Sequence, residues 1–236
     1  MAYLPDIIPP DERARYAKGH MGRRVGFGAR PGLLVVDMTR AFTEDRFPLG
    51  CSAAGGPCAR AIRTLLDAVR PRGVPVVYTR YDAFAADAEW GRWLDKGTGA
   101  EPDSLMRGAE AHEIADLLKP EPRDLVITKT KPSAFFGTPL ASMLTYLGLD
   151  TLIVTGMVTS GCVRATVIDA FSHNYRVIVP LEAVADRSPT SHQVNLFDID
   201  MKYGDVLPLA DVLGYFQRGS SAGFAGAIES GPETAA

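Results

Sequence analysis

Short aliphatic runs separated by amphipathic stretches set the rhythm of the chain. Residues 33–36, 74–78, 125–128, 152–155 and 177–179 are rich in Val, Ile and Leu, and none of them alternates strictly between apolar and polar positions. Such runs predict strands buried on both faces of a parallel sheet. Between them apolar residues return at helical spacing: Ala61, Ile62, Leu65, Leu66 and Val69, stopped by Pro71 and Gly73; Leu140, Met143, Leu144 and Leu147, closed by Gly148; and Val163, Val167, Ala170 and Phe171, ending near Asn174. Strand and helix in alternation imply right-handed crossovers. The expected fold is therefore a single α/β domain, doubly wound and Rossmann-like, with a mainly parallel six-stranded sheet and helices on both faces.

The domain is expected to span residues 32–217. Residues 1–31 read as an N-terminal arm that lies on the domain or on a neighbouring subunit, with a short helix opened by Pro9-Pro10-Asp11-Glu12. Residues 82–122, with Trp90 and Trp93, interrupt the strand–helix rhythm and are expected to form a lid or an interface. Residues 218–236 read as a flexible tail.

Composition narrows the function. With 25 basic and 28 acidic residues the net charge is −3, so no basic field is available for nucleic acid. Apolar residues make up 46% and charged residues 22% of the 236, which excludes a mainly disordered chain. No apolar run approaches the roughly 20 residues of a membrane helix. Met1 to Pro10 lacks the basic-then-apolar order of a secretion signal. Three cysteines, at 51, 58 and 162, do not suggest a disulfide framework, and a reducing cytoplasm is the expected location.

In an open parallel sheet, ligands bind beyond the carboxyl ends of the strands. Asp37 comes directly after the first run, Lys129 directly after the third, and Cys162 after the fourth and the turn Gly156-Met157-Val158-Thr159-Ser160-Gly161. Taken singly, each has an ordinary structural explanation: a turn cap, a solvated lysine, a small buried thiol. Together they bring a general base, a cation and a nucleophile to one edge of one sheet. A helix start and a nearby lysine are expected to favour the thiolate of Cys162. Asp37 can take the thiol proton and return it to a leaving amine. The amides of Val158 and Cys162 are the candidate oxyanion donors.

Three ordered segments resemble the isochorismatase-like cysteine hydrolases: Leu-Val-Val-Asp37-Met with Ala41-Phe42, Lys129-Thr-Lys-Pro-Ser133-Ala134-Phe135-Phe136-Gly137-Thr138, and Gly156-Met-Val-Thr159-Ser160-Gly161-Cys162-Val163. The resemblance implies a catalytic triad of Asp37, Lys129 and Cys162. The family spacing between its lysine and Ser-Ala-Phe selects Lys129 over Lys131. It also implies a non-proline cis peptide at Met157–Val158, and homo-oligomers, tetramers or dimers.

Within that family, nicotinamidases carry an Asp-x-His metal motif where this chain has Asp82-Ala-Phe. The four histidines, His20, His112, His173 and His192, fit no standard metal spacing, so neither a metal nor a cofactor is expected. The block from Ala185 through Asp186, Arg187, Ser188 and Pro189 to His192 and Tyr203 looks most like the branch acting on N-carbamoylsarcosine and maleamate. An arginine at the place of Arg187 holds the substrate carboxylate there, a role that suits a guanidinium fork. Thr159 is a further candidate for the carboxylate, and Phe42, Trp90 and Phe135 are candidate pocket walls. The expected activity is hydrolysis of a small carboxylate-bearing amide or N-carbamoyl compound through a thioester, with ammonia released. The alternatives are a maleamate or other small-amide amidase and, from another class, a catalytically silent oligomeric binding protein. Isochorismate-type vinyl-ether hydrolysis is disfavoured because it needs no cysteine nucleophile. A thiol redox role is disfavoured because Cys162 has no sequence-adjacent partner.

Overall fold

The computed structural model of the protein describes residues 2–98 and 108–218. The elements run α1 (Pro10–Lys18), β1 (Pro31–Val36), α2 (Arg40–Thr43), α3 (Ser52–Val69), β2 (Val76–Tyr81), α4 (Asp87–Trp90), β3 (Leu125–Lys129), α5 (Leu140–Tyr146), β4 (Thr151–Met157), α6 (Arg164–Ser172), β5 (Arg176–Pro180), β6 (Val184–Ala185), α7 (Pro189–Lys202), β7 (Asp205–Leu207) and α8 (Leu209–Arg218). Every pairing in the sheet is parallel. Six strands form the path β3-β2-β1-β4-β5-β7, and the two-residue β6 pairs with β4 off that path. The sheet thus has seven strands where six were expected, the extra one being a brief pairing at the carboxyl end of β4.

The central strands explain their own sequence. β1 and β4 are buried at every position, as strands covered on both faces must be. β3 is different: it is an edge strand in which buried and accessible positions mix, and Val126 is exposed. On one side α3 contributes a buried stripe of Ala61, Ile62, Leu65, Leu66 and Val69, closed by Gly73 in the left-handed region at φ 71°. α3 begins nine residues before that stripe, and Pro57 sits inside it. In α6 the stripe holds for Val167 and Ala170, but Phe171 is exposed and packs edge-on against Tyr203 instead of entering the core.

The first thirty residues lie along the chain's own domain. Ile8 forms a small apolar cluster with Phe197 and Met201, and Tyr16 packs edge-on to Phe197. Two buried carboxylates fix the rest. Asp200 accepts from the Tyr3 amide at 2.6 Å and pairs with Arg24, while Asp205 accepts from the amides of Val25 and Gly26. The expected tail falls almost wholly beyond Arg218, outside the described residues, and so does the middle of the 82–122 insertion.

Candidate active site

The register of the sheet fixes which strand ends meet. Val36 pairs with Thr79 on one side and with Gly156 on the other, and Tyr81 pairs with Lys129. Asp37 is therefore delivered between the ends of β2 and β4. Its backbone is in the left-handed region at φ 48°, which few non-glycine residues adopt, and its amide donates to the Thr79 carbonyl. An observed departure of this kind is a pointer to function. Gly156 makes the approach possible: a Cβ there would lie 1.9 Å from the Val36 carbonyl oxygen, and its φ is 113°. Only glycine fits.

Asp37 and Lys129 form a fully buried ion pair, with Nζ 2.7 Å from Oδ2. The other carboxylate oxygen accepts from the Thr79 hydroxyl at 2.7 Å, and Lys129 also donates to the Lys131 carbonyl at 3.0 Å. Lys131 itself is engaged elsewhere, donating to the Glu89 and Trp90 carbonyls at the end of α4.

Cys162 arrives from the other side. The Met157–Val158 peptide is cis. The wide turn Thr159–Val163 beyond it is closed by the Val163 amide donating to the Val158 carbonyl at 3.3 Å, and it carries Cys162 into the start of α6. The sulfur is buried, lies 3.3 Å from the Tyr81 hydroxyl and interacts with both Asp37 and Lys129. The three residues singled out from strand ends thus converge.

The surroundings of the Cys162 sulfur act on the thiol in both senses. Burial pushes the Cys162 thiol up to about 12, and the neighbouring carboxylate acts in the same sense. Lys129 and the Tyr81 hydroxyl pull it down, but less. Sequence spacing showed the helix start and the lysine; it did not show the desolvation that outweighs them.

Around this centre stand residues that sequence reasoning missed. Tyr81, placed outside β2 by the expected run 74–78, is the last residue of that strand and 2% exposed. Its ring lies beneath the Lys129 ammonium, 3.8 Å from Nζ to the centroid. Phe42, Trp90 and His112 surround it with ring centroids at 6.5, 5.3 and 6.1 Å. His112 is buried and among the described residues neither ring nitrogen has a hydrogen-bond partner; burial lowers its pKa. The pattern that could have revealed Tyr81 is weak, because Thr79-Arg80-Tyr81 reads as polar.

Of the other candidates, Phe42 and Trp90 join the Tyr81 group, whereas Phe135 stacks on His173 and leans on Tyr175, at the far end of α6 from Cys162. Thr159 is buried, its hydroxyl 2.8 Å from His192 Nδ1. Arg187 stands two residues beyond Ala185, the residue paired with Met157. It is exposed, and among the described residues it makes no ion pair; Asp186 beside it is taken by the Ser160 amide and hydroxyl. No group of three or more His, Cys, Asp or Glu among the described residues is arranged to hold a metal.

Residues 31–211 match the isochorismatase domain model. The chain is 36% identical to a maleamate amidohydrolase of Pseudomonas putida over 198 residues, 83% of this chain and 91% of the relative. It is 37% identical to an N-carbamoylsarcosine amidase of an Arthrobacter species over 198 residues, 82% and 74% of the two chains. Among solved structures, a cysteine hydrolase from Pseudomonas syringae pv. phaseolicola superposes with a TM-score of 0.77 at 25% identity, covering 84% of this chain and 98% of that one.

Proposed function

Because the chain belongs to the isochorismatase domain family and is a hydrolase of amide C–N bonds, we propose that it cleaves a small carboxylate-bearing amide or N-carbamoyl compound by metal-independent cysteine catalysis. The observation that carries this reading is the buried Asp37–Lys129 pair set against the Cys162 sulfur.

The raised thiol defines the first step. Cys162 passes its proton to Asp37 as the sulfur attacks the substrate carbonyl, so a thiolate need not exist in the free enzyme. Lys129 offsets the negative charge that leaves the carboxylate and appears on the sulfur. The oxyanion is received by the amides of Val158 and Cys162. Asp37 returns the proton to the amine, ammonia departs, and a water deprotonated by the same carboxylate hydrolyses the thioester. In a site this dry, small displacements of charge are strongly felt.

Specificity for a carboxylate rests on Arg187. A guanidinium with no ion-pair partner among the described residues, at the sheet end that also carries the nucleophile turn, can form a forked pair with a substrate anion. Thr159, steadied by His192, stands one residue from the Val158 amide and can add a hydroxyl to the same anion. Phe42 and Trp90 wall the site through their packing on Tyr81.

Ammonia release is the test. N-carbamoyl amino acids, maleamate, nicotinamide and simple neutral amides are offered to the wild type and to Cys162→Ala. Release by the wild type from a carboxylate-bearing amide, absent in the variant, supports the reading. Equal release by both removes Cys162 as nucleophile, and no release from any of them favours a silent binding protein.

A further inference from the structure

Tyr81 touches the proton donor, Cys162, and Lys129, the partner of the proton acceptor Asp37. It is the final residue of β2 and pairs across the sheet with Lys129, so its backbone is fixed by register rather than by loop conformation. Its hydroxyl lies 3.3 Å from Cys162 Sγ while its ring face carries the Lys129 ammonium at 3.8 Å. Phe42, Trp90 and His112 pack around the ring, so the side chain has no freedom to leave. We propose that Tyr81 is a fourth catalytic residue: its phenol donates to the sulfur as Cys162 gives up its proton, and its ring seats the Lys129 ammonium beside Asp37. This inference rests on the cysteine-amidase reading and extends it.

The direction of the hydrogen bond is set by the chemistry of the two groups. With the sulfur protonated, either atom can donate. Once the thiol proton has moved to Asp37, the sulfur is an acceptor only, and the phenol must donate. Burial keeps the phenol itself protonated, its pKa raised well above that of a free tyrosine. A hydrogen bond that becomes charge-assisted only after proton transfer is stronger in the attacking state than in the resting one, which is the condition for lowering a barrier. The ring contributes separately. An aromatic face attracts a desolvated ammonium, and here it holds Nζ where the Asp37 charge would otherwise draw it off the sulfur.

Two substitutions separate these contributions. Tyr81→Phe keeps the ring and removes the hydroxyl; Tyr81→Leu removes both. Cys162 alkylation by iodoacetamide is measured between pH 7 and 10, with the modified peptide carrying Cys162 quantified by mass spectrometry, because Cys51 is partly accessible and also reacts. Losing a hydrogen bond to a charged sulfur is expected to cut its ionised fraction about tenfold at fixed pH. A more basic thiolate is also more nucleophilic, which recovers about half of that on a logarithmic scale, so alkylation should slow by about threefold. For Tyr81→Phe we expect kcat about tenfold lower, KM within twofold and an unchanged melting temperature; Tyr81→Leu should lose more. Alkylation and kcat of Tyr81→Phe equal to wild type would overturn the proposal, as would a loss confined to KM. If the wild type releases no ammonia from any substrate yet the alkylation rates differ as expected, the amidase reading fails and the role of Tyr81 on the thiol stands.

Discussion

Replacing Lys129 with Met keeps most of the side-chain volume and deletes the charge. In the folded protein both partners of the Asp37–Lys129 pair are wholly inaccessible, with 2.7 Å between Nζ and Oδ2. The Met variant leaves a carboxylate in a dry site with only uncharged partners, the Thr79 hydroxyl on Oδ1 and the Cys162 thiol. Stripping a buried charge of its counter-charge costs about 3–5 kcal/mol, and Asp37→Asn, which strands the ammonium, should cost a similar amount. The double variant Asp37→Asn/Lys129→Met removes both charges, and buried pairs replaced by neutral groups lose about 1 kcal/mol or less, so most of the loss should return. For a chain of this size about 1 kcal/mol moves the melting temperature by about 2–4 °C. Each single variant should therefore melt about 6–20 °C below wild type, with the double variant close to wild type. Urea midpoints give an independent reading: with a slope of about 3 kcal/mol per molar, each single variant should fall by about 1–1.7 M. All three variants should release no ammonia. Either single variant melting with the wild type would refute the burial cost. A double variant that loses the sum of the two would refute the pairing, since that sum would mean the charges do not depend on each other.

Arg187→Ala should raise KM for carboxylate-bearing substrates by about ten- to a hundredfold, the worth of a charged hydrogen-bonded contact, while leaving neutral amides unchanged; steady-state kinetics on a matched acid and neutral amide decides it. Gly156→Ala sets a methyl 1.9 Å from the Val36 carbonyl at a backbone φ of 113°, so β1 and β4 must part, and a loss above about 4 kcal/mol is expected in urea denaturation. Cys58 and Cys162 are both buried thiols whose pKa is raised, Cys162 to about 12, so the unfolded chain releases these protons first. Their stabilising effect is complete below about pH 8.5 and declines as pH rises above it, at up to about 1.4 kcal/mol per pH unit for each group; urea midpoints at pH 8 and 10 should show a smaller fall in Cys58→Ala than in wild type.

The central sheet and the convergence of Asp37, Lys129 and Cys162 were legible because they depend on long apolar runs and on the residues at the carboxyl ends of those runs. β1 and β4, buried throughout, have sequences that permit little else. β2 extends three residues beyond the apolar run that marks it. Thr79 and Arg80 look like a turn in sequence, yet Thr79 is buried with its hydroxyl on Asp37, and Tyr81 closes the strand against Cys162. A strand that ends in an active site carries polar residues for the site, and those residues hide its end. The first half of α3 is hidden for a related reason: Gly55, Gly56 and Pro57 weaken helical propensity, but Gly55 lies against the Thr43 backbone and packing overrides the preference. β7, only three residues long, gives no pattern to find. The upward push of burial on the Cys162 thiol escapes the sequence because desolvation belongs to the folded environment and not to the spacing of residues.

The two acids that fasten the leading segment have a practical consequence for anyone dividing this molecule. The match to the family's domain model starts at residue 31, after Arg24, Val25 and Gly26 have already been used on Asp200 and Asp205. A fragment cut at that border would keep both carboxylates, each at most 3% exposed, and discard the cation and amides that neutralise them. Asp200 also receives the Val206 amide, so the outermost strand would fray with them. The domain-model match is therefore shorter than what must be expressed, and recombinant work should retain residues 2–30.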